Sequence, residues 1–170
     1  NASMQHLLPY EHSITLGYVA SRQRGITRNL NENYGRLGGG TASQPYREIT
    51  TAAINVQGNY GRVNYDSFQA SVNRRMANGL QYTVAYTFAK ATDWWAGTIP
   101  QPEYRYLNKG DQANSNPHLF NASVIYQLPF GSGRKFLNSS GVMSRVAGGW
   151  QVNAFLTARS GTPFTVTASN

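Results

Sequence analysis

Leu80-Gln81-Tyr82-Thr83-Val84-Ala85-Tyr86-Thr87-Phe88-Ala89-Lys90 is the stretch that decides the fold. Its even positions from Leu80 to Phe88 are large and apolar or aromatic, and its odd positions are small or polar. Strict period-two alternation puts the two sets on opposite faces of a β-strand. The run also matches the ~9–11 residues that a tilted strand needs to cross a bilayer. Immediately upstream, Asn78-Gly79 tolerates the positive φ of a tight hairpin turn. Before that turn, Phe68, Ala70 and Val72 alternate with Ser67, Gln69, Ser71 and Asn73. Residues 65–75 and 80–90 therefore read as a hairpin.

The same parity returns along the chain. In 118–128, Phe120, Ala122, Val124, Tyr126 and Leu128 alternate with Asn121, Ser123 and Gln127, with Ile125 out of pattern. In 149–159, Trp150, Val152, Ala154, Leu156 and Ala158 alternate with Gln151, Asn153, Thr157 and Arg159, with Phe155 out of pattern. Residues 12–22 carry Ile14, Leu16, Tyr18 and Ala20 on one parity. Weaker strand signals lie at 51–58 and 163–169. No helical period of useful length survives the Gly, Asn and β-branched residues that interrupt every window. Residues 23–50 and 91–117 are long and polar, rich in Gly, Asn and Pro, and read as loops. Tight turns at one end and long loops at the other are how an outer-membrane barrel is built. One piece fits poorly: 129–148 lies on the short-turn side and is not short.

The chain has 170 residues, with 13% charged and 40% hydrophobic. Low charge with ordinary apolar content leaves uncharged polar residues to fill the difference, as suits a wall between lipid and a wet lumen. The net charge is +8, carried mostly by Arg scattered from Arg22 to Arg159. Nucleic-acid binding needs that charge gathered on one face, so the expectation is no nucleic-acid partner. Rim and lumen arginines facing lipid head groups or an anionic solute explain the scatter. With no cysteine, disulfides and cysteine metal sites are excluded. The opening residues carry no secretory signal, which fits a chain that starts inside a larger protein. The expected fold is all-β: an antiparallel meander forming part of a transmembrane β-barrel, an open curved sheet if isolated. Five strands, with two weaker ones, fall short of closing a barrel, and the chain reads as a fragment lacking closure and plug.

Several segments then resemble a known family. Asn64 to Arg75, continuing through Asn78-Gly79-Leu80-Gln81 to Tyr86-Thr87-Phe88-Ala89-Lys90, resembles the barrel hairpin of TonB-dependent receptors. The branch is the Oar-like one with a carboxypeptidase-regulatory-like leader domain. Leu128-Pro129-Phe130-Gly131-Ser132-Gly133-Arg134, Gly148-Gly149-Trp150-Gln151 and Ser160-Gly161-Thr162-Pro163-Phe164 are similar to the same family's following segments. Tyr18-Val19-Ala20-Ser21-Arg22, with Arg28-Asn29-Leu30-Asn31, fits the preceding strand. The resemblance implies a large barrel of the bacterial outer membrane with an N-terminal plug. It also implies solute uptake energised by a TonB-type partner acting through a plug that this chain does not contain. Two rivals stand beside it: a small outer-membrane barrel serving as adhesin or anchor, and a soluble all-β carbohydrate-binding module.

The expected faces follow from parity. Leu80, Tyr82, Val84, Tyr86, Phe88, Val124, Tyr126, Val152 and Leu156 are expected to meet outer-membrane lipid. Gln81, Thr83, Thr87, Asn121 and Asn153 are expected to line the lumen. Trp94, Trp95, Tyr104, Arg105 and Tyr106 form a candidate ligand-contacting loop, for an unknown solute. For Trp94 and Trp95 an interfacial aromatic girdle is the stronger reading; for Tyr104 and Tyr106, deeper in the loop, the two readings balance. Asp93, Glu103, Asp111 and His118 share a polar stretch without metal-ligand spacing, and His6, Glu11 and His12 do not form a zinc motif. Arg74 and Arg75 read as structural cations near the inner head groups. No catalytic constellation appears, so neither enzyme activity nor a cofactor is expected.

Overall fold

The period-two segments fold into one sheet. The structure is a computed structural model describing residues 1–94, 105–138 and 141–164, with Arg105 described by its backbone only. Its strands in chain order are β1 (Ala2–Leu8), β2 (His12–Asn31), β3 (Asn55–Ala77), β4 (Leu80–Asp93), β5 (Gly110–Asp111), β6 (His118–Gln127) and β7 (Gln151–Arg159). They lie in the order β1-β2-β3-β4-β6-β7, with the short β5 beside β4. This is a meander, in which each main strand neighbours the one before it. The registers of β1 with β2, β4 with β6, and β6 with β7 are antiparallel. Side-chain bonds run the same way between β2 and β3 (Arg22 to Asp66, Arg24 to Asn64) and between β3 and β4 (Thr83 to Asn73). Among the described residues the order runs from β1 to β7 without closing, so the sheet is open.

The turn between β3 and β4 has the chemistry its sequence requires. Asn78 and Gly79 both adopt positive φ, 51° and 79°, as a two-residue hairpin of this hand demands. The turn between β1 and β2 reaches a similar shape with less suitable residues. Tyr10 and Glu11 stand at φ 62° and 63°, and no Asn-Gly pair announces them. That is why β1 is not legible as a strand beforehand. His12 helps to hold this turn: its Nδ1 lies 3.0 Å from the Pro9 carbonyl, which can only accept, while Nε2 lies 2.9 Å from the Tyr82 hydroxyl.

Several expected boundaries need correction. The loop expected over 23–50 does not begin at 23, because β2 continues to Asn31. The strands expected at 51–58 and 65–75 are one strand, β3, of 23 residues. The loop expected from 91 begins after Asp93. In the added parts of β2 and β3 polar groups such as Arg24, Arg28, Arg62 and Asn64 share a face with apolar ones, so the apolar alternation is broken. Cross-strand polar pairs take its place: Arg22–Asp66, Arg24–Asn64 and Thr27–Asn59. A six-residue helix, α1 (Val142–Ala147), lies within the connection 129–148. The weak signal at 163–169 falls largely outside the described residues.

The described chain divides into two compact units. The first holds Asn1–Val19, Ser67–Phe88 and Asn116–Gly161. None of its described apolar side chains is buried, since the buried apolar residues Leu30, Ala89 and Ala91 all belong to the second unit. A sheet one layer thick has no interior of its own, so its apolar face depends on what surrounds it. The second unit holds Ala20–Asp66, Ala89–Ser115 and the chain from Thr162. There the connection from β2 to β3 is an ordered structure built around a buried asparagine, Asn33.

Candidate functional site

Register fixes which residues share a face. Leu80, Tyr82, Val84, Tyr86 and Phe88 on β4 stand opposite Tyr126, Val124, Ala122, Phe120 and His118 on β6. On the other side of β6, Phe120, Ala122, Val124 and Tyr126 stand opposite Ala158, Leu156, Ala154 and Val152 of β7. All nine residues expected to meet lipid therefore lie on one face. The bond from His12 to Tyr82 brings the even positions of β2 to the same face. Ala2, Met4, Leu16, Tyr18 and Phe68 line one shallow apolar hollow there. Met4, Tyr18, Phe68, Phe88, Tyr126, Val152 and Leu156 are exposed. A continuous apolar surface of this kind is a site of contact with something apolar.

The odd face differs in kind. Gln81 stands opposite Ile125, Thr83 opposite Ser123, Ala85 opposite Asn121 and Thr87 opposite Leu119. Thr83 donates to Asn73 and Thr157 donates to Asn121 through their hydroxyls. The five residues expected to line a lumen thus share this face. Ile125 and Phe155, the two that broke the parity, are explained by the register. Ile125 pairs with Asn153 and Phe155 with Ser123, which makes Ile125 and Phe155 diagonal neighbours on the odd face. With Gln81, Thr83, Ser123 and Asn153 they line a groove of about 240 Å³. A second hollow of about 370 Å³ is lined by Thr15, Gly17, Gln69, Ser71, Ala85 and Thr87, among others. Both hollows mix hydroxyl and amide groups with a larger share of apolar surface.

In the second unit, Arg22 pairs with Asp66 and Arg28 with Asp93. Arg28 reaches Asp93 at 2.9 Å, and Asp93 is buried. Gly61 makes that reach feasible: a Cβ there would stand 3.0 Å from Arg28 Cγ and from Ile26 Cβ. Trp94 has the Arg62 guanidinium 5.6 Å and the Lys109 ammonium 5.5 Å from its ring centre. Those distances are within the range of cation–π attraction, so the ring is engaged by the protein itself. Tyr106 sits exposed on the short 3-10 turn 105–108 with the Arg105 backbone. Trp95, Tyr104 and Glu103 lie outside the described residues. His118 is engaged by Tyr86, whose hydroxyl lies 2.7 Å from Nδ1, and by the Phe88 ring at 5.0 Å. The structure therefore assembles the two faces of the sheet, and of the expected loop residues it describes the side chains of Trp94 and Tyr106. Gly61, Asn33 and the His12–Tyr82 contact were not foreseen; a lone glycine inside a strand was the one available signal.

Comparison with known proteins gives one match. A family model described as an outer membrane beta barrel domain matches residues 1–170. No curated protein and no solved structure matches the chain.

Proposed function

Because the chain belongs to the outer membrane beta barrel domain family and so resides in the bacterial outer membrane, we propose that it is a wall segment of a TonB-dependent receptor that takes up a solute. The observation that carries this reading is the coherence of two unlike faces across β4, β6 and β7. The even face offers lipid a mostly apolar surface, with His118 at its edge opposite Phe88. The odd face carries Gln81, Thr83, Thr87, Asn121 and Asn153, which suits a wet lumen. The order of segments similar to TonB-dependent receptors supplies the energising partner, which acts through a plug outside this chain. Ferric siderophores, oligosaccharides and peptides are the solute classes in view. The barrel carries its solute without transforming it, and nucleic acid has no part in it. The soluble carbohydrate-binding module is set aside by the family to which the chain belongs.

A second reading, surface adhesin or anchor, is favoured by strand length. β2 and β3 have 20 and 23 residues, about twice the ~9–11 that span the hydrocarbon, so they continue well beyond it. One experiment separates the readings. Cells carrying the full-length protein are given a ferric siderophore, a maltodextrin and a peptide in turn. Accumulation is followed before and after collapse of the proton-motive force. Energy-dependent accumulation of one probe, lost on deletion of the protein, is expected for a receptor. A folded barrel that takes up none of the three in an energy-dependent way favours the adhesin or anchor instead.

A further inference from the structure

The connection between β6 and β7 is the piece that a barrel wall does not explain. It lies at the short-turn end, since the amide of Gln127 bonds the Gly79 carbonyl and that of Leu128 bonds the Trp150 carbonyl. Its described residues, 128–138 and 141–150, are nevertheless folded rather than slack. Phe130 and Phe136 form an isolated bridge with their rings 5.8 Å apart. Gly131 accepts no side chain, because a Cβ would stand 2.6 Å from the Gly148 Cα. The Trp150 indole N–H donates to the Val146 carbonyl at 2.8 Å.

Within this element the helix is inverted. At ~100° per residue, Val142, Met143 and Val146 fall on one stripe and Ser144 on the opposite side. Ser144 is 3% exposed, whereas Val142, Met143 and Val146 are 76%, 69% and 66% exposed. A helix on a water-facing surface buries its apolar stripe; this one buries its serine. Trp150, 62% exposed, leads directly into Val152 and Leu156 on the apolar face of the wall. The charge carried by the connection is of one sign: Arg134, Lys135 and Arg145 lie in it, and residues 128–150 contain no Asp or Glu.

We propose that residues 129–138 and 141–150 form an interfacial anchor, seated in the phospholipid head-group layer at the short-turn, periplasmic end of the wall. Val142, Met143, Val146 and Trp150 enter the boundary of the acyl chains, while Arg134, Lys135 and Arg145 meet phosphate groups. The commitment to lipid rests on two observations: the stripe continues into the apolar face of an outer-membrane wall, and the flanking cations match phosphate. Neither depends on solute uptake, so the inference holds for receptor and anchor alike.

The test uses the full-length protein in vesicles of phosphatidylethanolamine and phosphatidylglycerol. Nitroxide labels are placed singly at Met143, Val146, Val152 and the exposed loop residue Ile49. Labels at 143 and 146 should collide with oxygen nearly as often as the label at 152. They should also collide with a water-soluble nickel chelate at least about threefold less often than the label at 49. Chelate collisions at 143 and 146 equal to those at 49 mean a solvated helix, and shielding from both reagents means a protein cover; each overturns the proposal. So does a label at 152 that oxygen does not reach, because continuity with the wall is then lost. A second measurement needs no label on the helix. Acyl-brominated phospholipid should quench the tryptophan fluorescence of the protein more than that of the Trp150→Phe variant. Equal quenching of the two overturns the proposal.

Discussion

Asn33 has no solvent exposure, and its amide is the hub of the connection between β2 and β3. Its Nδ2 donates to the carbonyls of Thr50 and Ala52 at 2.8 Å each, and its Oδ1 accepts from the Tyr46 amide at 3.0 Å. Asn33→Ala leaves these three backbone groups without that partner, at about 1–3 kcal/mol for each one that stays buried. The loss is local, so the loop should open while the sheet persists. Trypsin cleavage after Arg36 and Arg47 should accelerate at least about tenfold, which corresponds to ~1.4 kcal/mol. Unchanged cleavage would mean that the connection is held by something other than Asn33. Gly61→Val tests the passage beside it. Its side chain must displace the Arg28 stem, parting Arg28 from Asp93, at an expected cost of about 1–3 kcal/mol in unfolding free energy, read from urea titration of the lipid-embedded protein. Beyond the lone glycine at 61, little of this was legible at the level of residues. The side chain of Asn33 bonds only backbone groups, which sequence does not distinguish, and Arg28 meets Asp93 across an intervening strand.

At the scale of elements, apolar alternation revealed strands only where one face is apolar. Leu80 marks the start of β4 and Asn78-Gly79 the turn before it, since both the pattern and the turn chemistry are local. The outer halves of β2 and β3 carry polar groups on both faces, so their pairing depends on partners dozens of residues away, such as Asp66 for Arg22. A period-two reading of either strand alone cannot find them. β1 was hidden for a related reason, because its turn uses Tyr10 and Glu11 at positive φ without a glycine. The β3–β4 turn should be the less forgiving of the two. Gly79→Val places a β-branched side chain at φ 79° with its Cβ 3.1 Å from the Gln127 carbonyl oxygen. Left-handed backbone costs an L-residue ~1–2 kcal/mol before any contact is counted. The variant should fold into lipid vesicles several-fold more slowly, read as the appearance of the heat-modifiable band on gels. Glu11→Gly removes the same strain from the other turn, and its folding should be as fast as that of the parent or faster.

For the whole molecule, the question is which face meets lipid. Parity alone gives two unlike faces; family membership places them in the outer membrane, and the proposed assignment puts the even face outward. Thr83 and Val84 are adjacent on β4 and opposite in direction, with partners Ser123 and Ala122 on β6. They therefore differ in facing but hardly at all in depth. Arginine on the lipid face near the midplane costs about 2–4 kcal/mol, whereas on the lumen face water solvates it. Val84→Arg should lower the stability of the reconstituted barrel by about that amount, and Thr83→Arg by less than about 1 kcal/mol. The lumen variant has its own signature: a long cation beside Gln81 and Ser123 intrudes on the groove that these residues line, so it should alter uptake or conductance where the lipid-face variant leaves them unchanged per folded molecule. Equal destabilisation by both would place position 83 in a dry environment and defeat the lumen assignment. The reverse order, with Thr83→Arg the costlier, would turn the wall inside out. Comparing neighbouring residues keeps strand propensity, depth and local packing nearly constant, so the sign of the difference reports facing alone.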